Sequence, residues 1–171
     1  MPKPTLDEVL KAADPMLSDN FELLIPNVPG ASGQDARAMR IQCKTAVKPG
    51  STINEVLVEL FGHATNHAGA RTYSHDFQVT YIEVADGRIG RALEAWANEC
   101  RNHDTQTGSF KEDYATDAEF IIYNQPGEKI ATHEIVGLWP KQVPDLNFDG
   151  AQGTQAVELS VSFSFDYVHE V

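Results

Sequence analysis

The segment from Val157 to Tyr167 constrains the fold of this chain more than any other. Its residues alternate without a break between apolar side chains and small polar or acidic ones, which is the pattern of a β-strand with one buried face. The apolar set is Val157, Leu159, Val161, Phe163, Phe165 and Tyr167, and the polar set is Glu158, Ser160, Ser162, Ser164 and Asp166. The pattern predicts one strand from Thr154 to His169 that is roughly 50 Å long, whereas strands usually have about 5–6 residues.

Both edges of so long a strand must find partners, because an unpaired edge invites aggregation. The strand can lie in the centre of a β-sandwich, or it can help to close a barrel within one chain or across subunits. From the alternation alone the sandwich is the simpler interpretation.

The remaining segments predict a mostly β domain. Residues 86–103 repeat apolar side chains every three or four positions, which indicates one amphipathic helix that covers the core. A short helix is predicted from Thr5 to Ala13, where Thr5 and Glu8 have capping-box spacing. One helix on many strands gives a mostly β fold. Further strands are predicted at 20–25, 37–47, 52–61, 75–84, 117–124 and 129–139, with a loop at 26–35 and a hairpin turn between Lys44 and Asn54.

Length and charge restrict the possible functions. The chain has 171 residues, with 13 Lys and Arg against 25 Asp and Glu, a net charge of −12. This length suits a single domain over residues 1–171, with an N-terminal arm (1–18) and a sandwich (19–169). The acidic balance argues against a non-specific nucleic-acid binder or a polybasic membrane protein.

The sequence also lacks signals for export or cross-linking. Residues 1–17 have no apolar h-region, so we expect no signal peptide and a soluble product made inside the cell. The two cysteines, Cys43 and Cys100, are far apart, and the simplest prediction is that both are reduced.

Residue patterns for catalysis are weak. His63 and His67 are four residues apart, but they lack the glutamate of an H-E-x-x-H site, so solvated surface histidines are the expectation. Residues 30–33 contain a serine between glycines without the spacing of a nucleophile elbow. His133, Glu134, Asp145 and Asp149 are expected to be charged turn residues. We therefore predict no enzyme activity, no metal and no cofactor.

Two motifs resemble a known family, the tail tube proteins of contractile-tailed bacteriophages. The first is the Gly-Leu-Trp-Pro sequence at 137–140, followed by an acidic turn and the alternating strand. The second is the Ala-Gly-Ala-Arg-Thr-Tyr turn at 68–73 and the strand at 77–81, after Gln42-Cys43-Lys44. The similarity extends over about residues 19–168 and includes the helix around Trp96. The loop from Asn27 to Asp35 is longer than in the family, so its contacts do not transfer.

The resemblance implies hexameric rings stacked into a hollow tube, with strands of six subunits closing one barrel around the lumen. This implication favours an intersubunit barrel over the plain sandwich. The candidate lumen lining is then the polar face of the last strand, which has no lysine or arginine to hold DNA phosphates. Its residues are Glu158, Ser160, Ser162, Ser164 and Asp166.

The family further implies partners: the contractile sheath, a tape-measure protein, baseplate tube proteins, a tail terminator, and double-stranded DNA that passes without specific binding. The implied location is the phage tail, assembled in the cytoplasm of the host. Candidate ring-to-ring contacts are Leu6, Val9, Leu10, Lys48, Pro49, Ser51 and Asn54. Candidate sheath contacts are Arg91, Glu94, Asn98, Glu112, Asp113 and Asp117. The predicted core includes Leu93, Trp96, Trp139, Phe163, Phe165 and Tyr167.

Two alternatives remain open on the sequence. One is the tube of a related injection machine, such as a type VI secretion system or a pyocin. The other is a monomeric β-sandwich that binds a sugar or peptide, although the aromatic residues of this chain read as core rather than as a cleft.

Overall fold

A computed structural model describes residues 3, 5–11, 14–151, 153 and 155–171. Strands predominate, and the mostly β prediction is confirmed. The helices are α1 (Leu6–Leu10), α2 (Gly33–Ile41), α3 (Arg88–Cys100) and α4 (Lys111–Tyr114). The strands are β1 (Phe21–Leu24), β2 (Cys43–Ala46), β3 (Ser51–Leu60), β4 (His63–Tyr73), β5 (Phe77–Ile82), β6 (Thr116–Tyr123), β7 (Lys129–Gln142), β8 (Glu158–Ser164) and β9 (Tyr167–Glu170). Within the described residues, no helix is long and apolar enough to cross a membrane.

Seven strands form one antiparallel sheet in the order β1-β6-β7-β8-β5-β2, with β9 paired to β7. Strand β7 joins the two halves of this sheet. Its first part pairs with β6 as far as Leu138 and with β9 as far as Val136, and its last part, from Trp139 onward, pairs with β8. Strands β3 and β4 form a separate two-stranded sheet.

The core lies between this sheet and α3. On the core face, Phe77 faces Phe163, Val79 faces Val161, and Tyr81 faces Leu159 across the β5–β8 pair. Helix α3 covers these side chains with its apolar stripe, and its Trp96 ring lies 5.6 Å from that of Phe163. The indole of Trp96 donates to the carbonyl of Tyr114 at 2.6 Å, so its one polar atom is satisfied.

The first amides of α3 are capped by a residue outside the helix. Its N-cap residue is Gly87, which has no side chain to accept from the first amides of the helix. The carboxylate of Glu83, at the end of β5, accepts instead from the amides of Ile89 (3.1 Å) and Gly90 (2.7 Å). Unsatisfied amides at a helix start favour a negative charge, so Glu83 ties the helix to the sheet.

Two of the predicted strands differ from the structure. The segment 37–47 was predicted as extended, but α2 occupies 33–41, started by a capping box between Ser32 and Asp35. The predicted strand from Thr154 to His169 is two strands, because the chain bends at Phe165 and Asp166. Thr154 lies outside the described residues. The bend lets β8 pair with β5 while β9 pairs with β7, which alternation in one segment does not reveal.

Candidate functional site

The hairpin of β3 and β4, here called the ribbon (residues 51–73), is exposed along almost its whole length. Its strands pair only with each other in the described part of the chain. Nearly every side chain from Thr52 to Thr72 is exposed. An isolated two-stranded hairpin is at best marginally stable in water, so a second surface that covered the ribbon would stabilise it.

The two faces of the ribbon differ in chemistry. One face carries Val56, Val58 and Leu60, which are paired across the hairpin with His67, Thr65 and His63 respectively. The opposite face carries Leu57 between two acidic residues, Glu55 and Glu59. The ribbon therefore presents an aliphatic and imidazole face and a second face whose edges are negatively charged.

The tip of the ribbon is a two-residue turn formed by Phe61 and Gly62, both with positive φ (51° and 82°). Hairpin turns of this kind favour asparagine or glycine, because a left-handed backbone strains larger L-residues. The Phe61 side chain is nevertheless 99% exposed. A strained phenylalanine that buries nothing in its own chain is typical of a residue that contacts something else.

The base of the ribbon is anchored to the core. The hydroxyl of Tyr73 donates to the carbonyl of Val168 at 3.2 Å, and its ring packs edge-on against Phe165. A bulge near Asn54 brings the two strands so close that a Cβ on Gly69 would lie 2.9 Å from the carbonyl oxygen of Asn54. The ribbon is thus positioned at its root and uncovered beyond it.

Exposed large apolar side chains cluster in the first strand and the tip of the ribbon. Monomeric proteins rarely expose contiguous apolar patches beyond a few hundred Å². The members here are Ile53, Val56, Leu57, Leu60 and Phe61. This concentration indicates an interface with another molecule.

The second surface is the polar face, which we define as the side of strands β2, β5, β7 and β8 away from the core. Gln78 and Thr80 of β5 lie opposite Ser162 and Ser160 of β8. The hydroxyls of Thr80 and Ser160 are 3.3 Å apart and share a hydrogen bond. The remaining members are Lys44, Thr45, Ile82, Trp139, Gln142, Glu158 and Ser164.

Charges on the polar face are paired within the chain. Lys44 of β2 forms an ion pair with Glu158 of β8. At the other end, Asp76 accepts from the Ser162 hydroxyl and, at 2.9 Å, from the Gln78 amide. These two hydrogen bonds, the Ser162 bond first, lower the pKa of Asp76, and the charge of Lys141 adds to the effect. The last strand alone has no lysine, but the folded sheet brings Lys44 of β2 to Glu158 of β8.

The predicted lumen-lining residues differ in their placement. Glu158 and Ser160 are exposed on the polar face, and Ser164 is half-buried there. Ser162 is only 7% exposed because its hydroxyl is turned onto Asp76, so as a lining residue it offers little surface. Asp166 lies at the bend after β8 rather than in the strand.

The Gly-Leu-Trp-Pro motif has a structural explanation at this bend. Gly137 has φ of 71°, and a Cβ there would lie 2.4 Å from the Asp166 carboxylate. That carboxylate pairs with Lys111 of α4, and the Asp166 amide donates to Val136. The Gly137 amide donates to Asp117 at 2.9 Å. Gly137 therefore lies where β7 changes its pairing partners, from β6 and β9 to β8. A side chain at this position would clash with the Asp166 carboxylate.

The predicted ring-to-ring residues are dispersed. Thr5 and Glu8 form the predicted capping box at α1, whose Leu6 and Leu10 are exposed. The side chain of Val9, and Ala13 with the predicted helix end, lie outside the described residues. The Lys44–Asn54 segment is not a hairpin turn, because β2 pairs with β5 while β3 pairs with β4. Lys48, Ser51 and Asn54 are exposed along this connection, but Pro49 is buried within the chain.

The predicted sheath-contact residues are all exposed, on α3 (Arg91, Glu94 and Asn98), α4 (Glu112 and Asp113) and β6 (Asp117). Two of them already have intramolecular roles. The Arg91 guanidinium donates to the carbonyl of Asp86 at 2.6 Å, at the start of its own helix, and Asp117 accepts from Gly137.

Most predicted core residues are inside the protein. Leu93, Trp96, Phe163 and Phe165 are fully buried, and Trp139 is half-buried with Tyr114 edge-on to its ring. Tyr167 was placed in the core wrongly: it is 47% exposed, because the bend at Asp166 turns it out of the alternation of β8. The alternation of apolar and polar residues in the sequence does not show where the strand bends.

The described residues contain no group of three or more metal-ligating side chains. His63 and His67 share the aliphatic face of the ribbon, where the Thr65 hydroxyl lies 3.2 Å from the His67 ring. Burial raises the pKa of Cys43 to about 12 and that of Cys100 to about 11. Both thiols are free and are held in the unreactive protonated form.

Sequence reasoning identified β3 as a strand but missed the ribbon as a surface. Its signal was present: two strand-like runs joined by Phe61-Gly62, where the glycine marks a two-residue turn. The missed helix α2 likewise had a signal in its Ser32-x-x-Asp35 capping pattern.

Comparison with known proteins gives matches over most of the chain. A family model described as phage tail tube protein matches residues 16–170. The tail tube proteins gp19 of Enterobacteria phages T6 and T4 are each 26% identical over 130 residues, which cover 74% of this chain and 78% of each relative.

Among solved structures, the sheath/tube terminator of the PVC extracellular contractile injection system superposes with a TM-score of 0.66 at 13% identity, over 93% of this chain and 98% of that one. The PVC sheath–tube complex gives 0.65 at 10% identity over 99% of each chain. The cap of the anti-feeding prophage gives 0.66 at 11% identity over 94% and 93%. At these identities the structural matches show a shared fold.

Proposed function

The chain belongs to the phage tail tube protein family, and on that premise we propose that it is the subunit of a tail tube built from stacked hexameric rings. The tube is a passive conduit through which the genome leaves when a surrounding sheath contracts, and the subunit has no catalytic role. The observation that carries this proposal is the ribbon. The aliphatic face of the ribbon (Val56, Val58 and Leu60) and its exposed tip lack a partner within the described chain. A second copy of the chain supplies one.

Ring closure is supported by the edges of the sheet. Strand β2 pairs on one side only, with β5, and the last part of β7 from Trp139 to Gln142 pairs on one side only, with β8, in the described part of the chain. Unpaired edges present free amides and carbonyls to another strand. We propose that β2 of one subunit meets the β7 edge of its neighbour, which closes a barrel with the polar face toward the lumen.

The partners follow from this arrangement. The polar outer side of α3 and α4 faces the sheath, the lumen holds a tape-measure protein during assembly and then double-stranded DNA, and the tube ends meet baseplate tube proteins and a terminator. A polar sheath contact suits an interface that must release on contraction. The subunit assembles in the host cytoplasm and ends in the virion tail.

A second candidate is the tube of a related injection machine. The fold shared with the PVC sheath–tube complex and with the cap of the anti-feeding prophage favours it. Such a tube uses the same assembly surfaces but delivers another cargo, so assembly alone does not separate the two candidates. The genes beside this one do: capsid and terminase genes support a phage, and a toxin cluster supports the second candidate.

The proposal is tested by imaging the purified protein at several milligrams per millilitre by negative-stain electron microscopy, with its mass measured by light scattering. We expect hollow rings or tubes. Replacing Val56 and Leu60 together by threonine places β-branched strand formers at both positions but removes two of the three aliphatic side chains of that face. This variant should be folded by circular dichroism and monomeric by light scattering.

The control is Val171→Thr, which makes a similar change at an exposed residue outside the ribbon. It should assemble like the unmodified protein. If the protein stays monomeric even when it is mixed with a ring-forming baseplate partner, the tube assignment is wrong. If the Val56/Leu60 variant assembles as well as the control, the ribbon is not the interface.

A further inference from the structure

Two carboxylates of the polar face have partners within the chain, although the chain as a whole is strongly acidic, with a net charge of −12. Glu158 forms an ion pair with Lys44. Asp76 accepts hydrogen bonds from the Ser162 hydroxyl and the Gln78 amide.

The polar groups between these charges also bond to each other. Thr80 and Ser160 share a hydrogen bond, Ser162 donates to Asp76, and Gln78 donates to the same carboxylate. A phosphate oxygen is held by free donors or free cations. On this face the donors of Thr80, Ser162 and Gln78 are already bonded, and the Lys44 ammonium is already paired with Glu158.

From this geometry we infer that the polar face does not bind a polyanion such as duplex DNA. The reason is that the Lys44–Glu158 ion pair masks the charge of the lysine. The inference rests on the proposed function, because it requires the polar face to line the tube. It differs from a lining that works by acidic repulsion: here Glu158 acts by occupying Lys44 rather than by repelling the phosphates.

The two explanations make different predictions for Lys44. If Glu158 repelled DNA by its own charge, removal of Lys44 would increase repulsion and lower the retention of DNA below that of the unmodified protein. If Glu158 masks Lys44, removal of Lys44 leaves the retention of DNA unchanged. Both side chains are about half exposed, and exposed ion pairs contribute little to folding, so these variants should fold.

The experiment uses open-ended tubes of the unmodified protein and of Glu158→Gln, incubated with a short fluorescent DNA duplex and sedimented. Glu158→Gln frees one lysine per subunit, and a duplex in the tube touches several of them. We expect retention of the duplex to rise about tenfold at roughly 50 mM salt and to fall back by about 200 mM, because released counterions drive such binding.

Three further variants serve as controls. Lys44→Gln breaks the same ion pair but frees a carboxylate, so retention should stay at the unmodified level. The double variant Lys44→Gln/Glu158→Gln should also return to that level. Asp104→Asn makes the same change in net charge on an exposed loop residue away from the polar face, and it should have no effect.

The outcomes separate this inference from the proposed function. Absence of tubes in electron micrographs of the unmodified protein contradicts the function itself. Tubes that form but retain no more duplex after Glu158→Gln than after Asp104→Asn overturn the inference alone. Strong retention by the unmodified tube also overturns it, and retention by Lys44→Gln below the level of the unmodified tube points instead to acidic repulsion.

Discussion

The ribbon and the polar face are both built from antiparallel strands, yet they differ in whether their side chains have partners within the subunit. The ribbon exposes aliphatic side chains and a strained phenylalanine that have no partner in the described chain. The polar face pairs its charges and most of its hydroxyls internally. The comparison teaches that antiparallel strands of one chain can leave their side chains uncovered or satisfy them within the subunit.

The substitution with the largest expected effect on assembly lies at the tip of the ribbon, and it tests the difference between the two surfaces. Replacing Phe61 by asparagine removes the exposed ring but supplies a residue that tolerates the left-handed backbone there. We expect the folded monomer to keep its melting temperature while assembly falls at least about tenfold, as expected when an interface loses an aromatic anchor. Sedimentation velocity and electron microscopy measure this.

Phe148→Asn is the matched control for that substitution, because Phe148 is also an exposed phenylalanine (79%) but lies outside the ribbon. It should assemble normally. Equal assembly by the two variants would remove Phe61 from the interface. A lower melting temperature for Phe61→Asn would instead mean that the ring stabilises its own hairpin.

A second test compares two glycines, one in each region. At Gly137 an alanine must adopt φ of 71° and displaces the Asp166 carboxylate, which lies 2.4 Å from the new Cβ position. The left-handed backbone costs about 1–2 kcal/mol, and with the displaced carboxylate we expect unfolding free energy to fall by about 2–4 kcal/mol. Chemical denaturation measures the change.

Gly69→Ala provides the counterpart in the ribbon, where the new Cβ meets the Asn54 carbonyl. Because the ribbon is separate from the seven-stranded sheet, we expect a local distortion with little change in global stability but weaker assembly. If Gly69→Ala destabilised the whole protein as much as Gly137→Ala does, the ribbon would have to be part of the cooperative core.

The smallest expected effect concerns acid. The pKa of Asp76 is lowered mainly by the Ser162 hydroxyl. A lowered folded-state pKa contributes stability that is present above the unfolded value, near 3.8, and is lost as the pH falls through the folded value. Ser162→Ala should therefore destabilise the protein by less than about 1 kcal/mol at pH 6, and the difference should shrink toward pH 3.

Ser164→Ala is the control for this test, because Ser164 makes no side-chain hydrogen bond within the described residues and lies two positions along the same strand. Its effect on the melting temperature should not depend on pH. If the effect of Ser162→Ala were equally independent of pH, its hydrogen bond to Asp76 would not be the cause.

Much of the fold was accessible from local patterns. The amphipathic period around Trp96 predicted α3, the capping-box spacing of Thr5 and Glu8 predicted the start of α1, and alternation predicted that Leu159, Val161 and Phe163 face the core. These features depend on neighbours within a few residues, so the physical rules that create them can be read in one segment.

The candidate surfaces were harder to predict for the same reason. Whether Glu158 is a free acid or the partner of Lys44 depends on two strands that are 114 positions apart in sequence. The exposed position of Phe61 follows from the pairing of β3 with β4, which places this residue at the turn between them. Both features come from strand pairing, which local patterns restrict but do not specify.

By itself, the sequence determined a mostly β chain with one covering helix, a core made by the alternation of its last strands, and motifs that resemble one family. The tertiary structure alone decided that the alternating segment bends at Asp166, that Tyr167 leaves the core, and that the ribbon stands apart from the main sheet. The physical reason is that periodicity reports which face of an element is buried, whereas charge masking and exposure are properties of side chains that meet only after distant strands have paired.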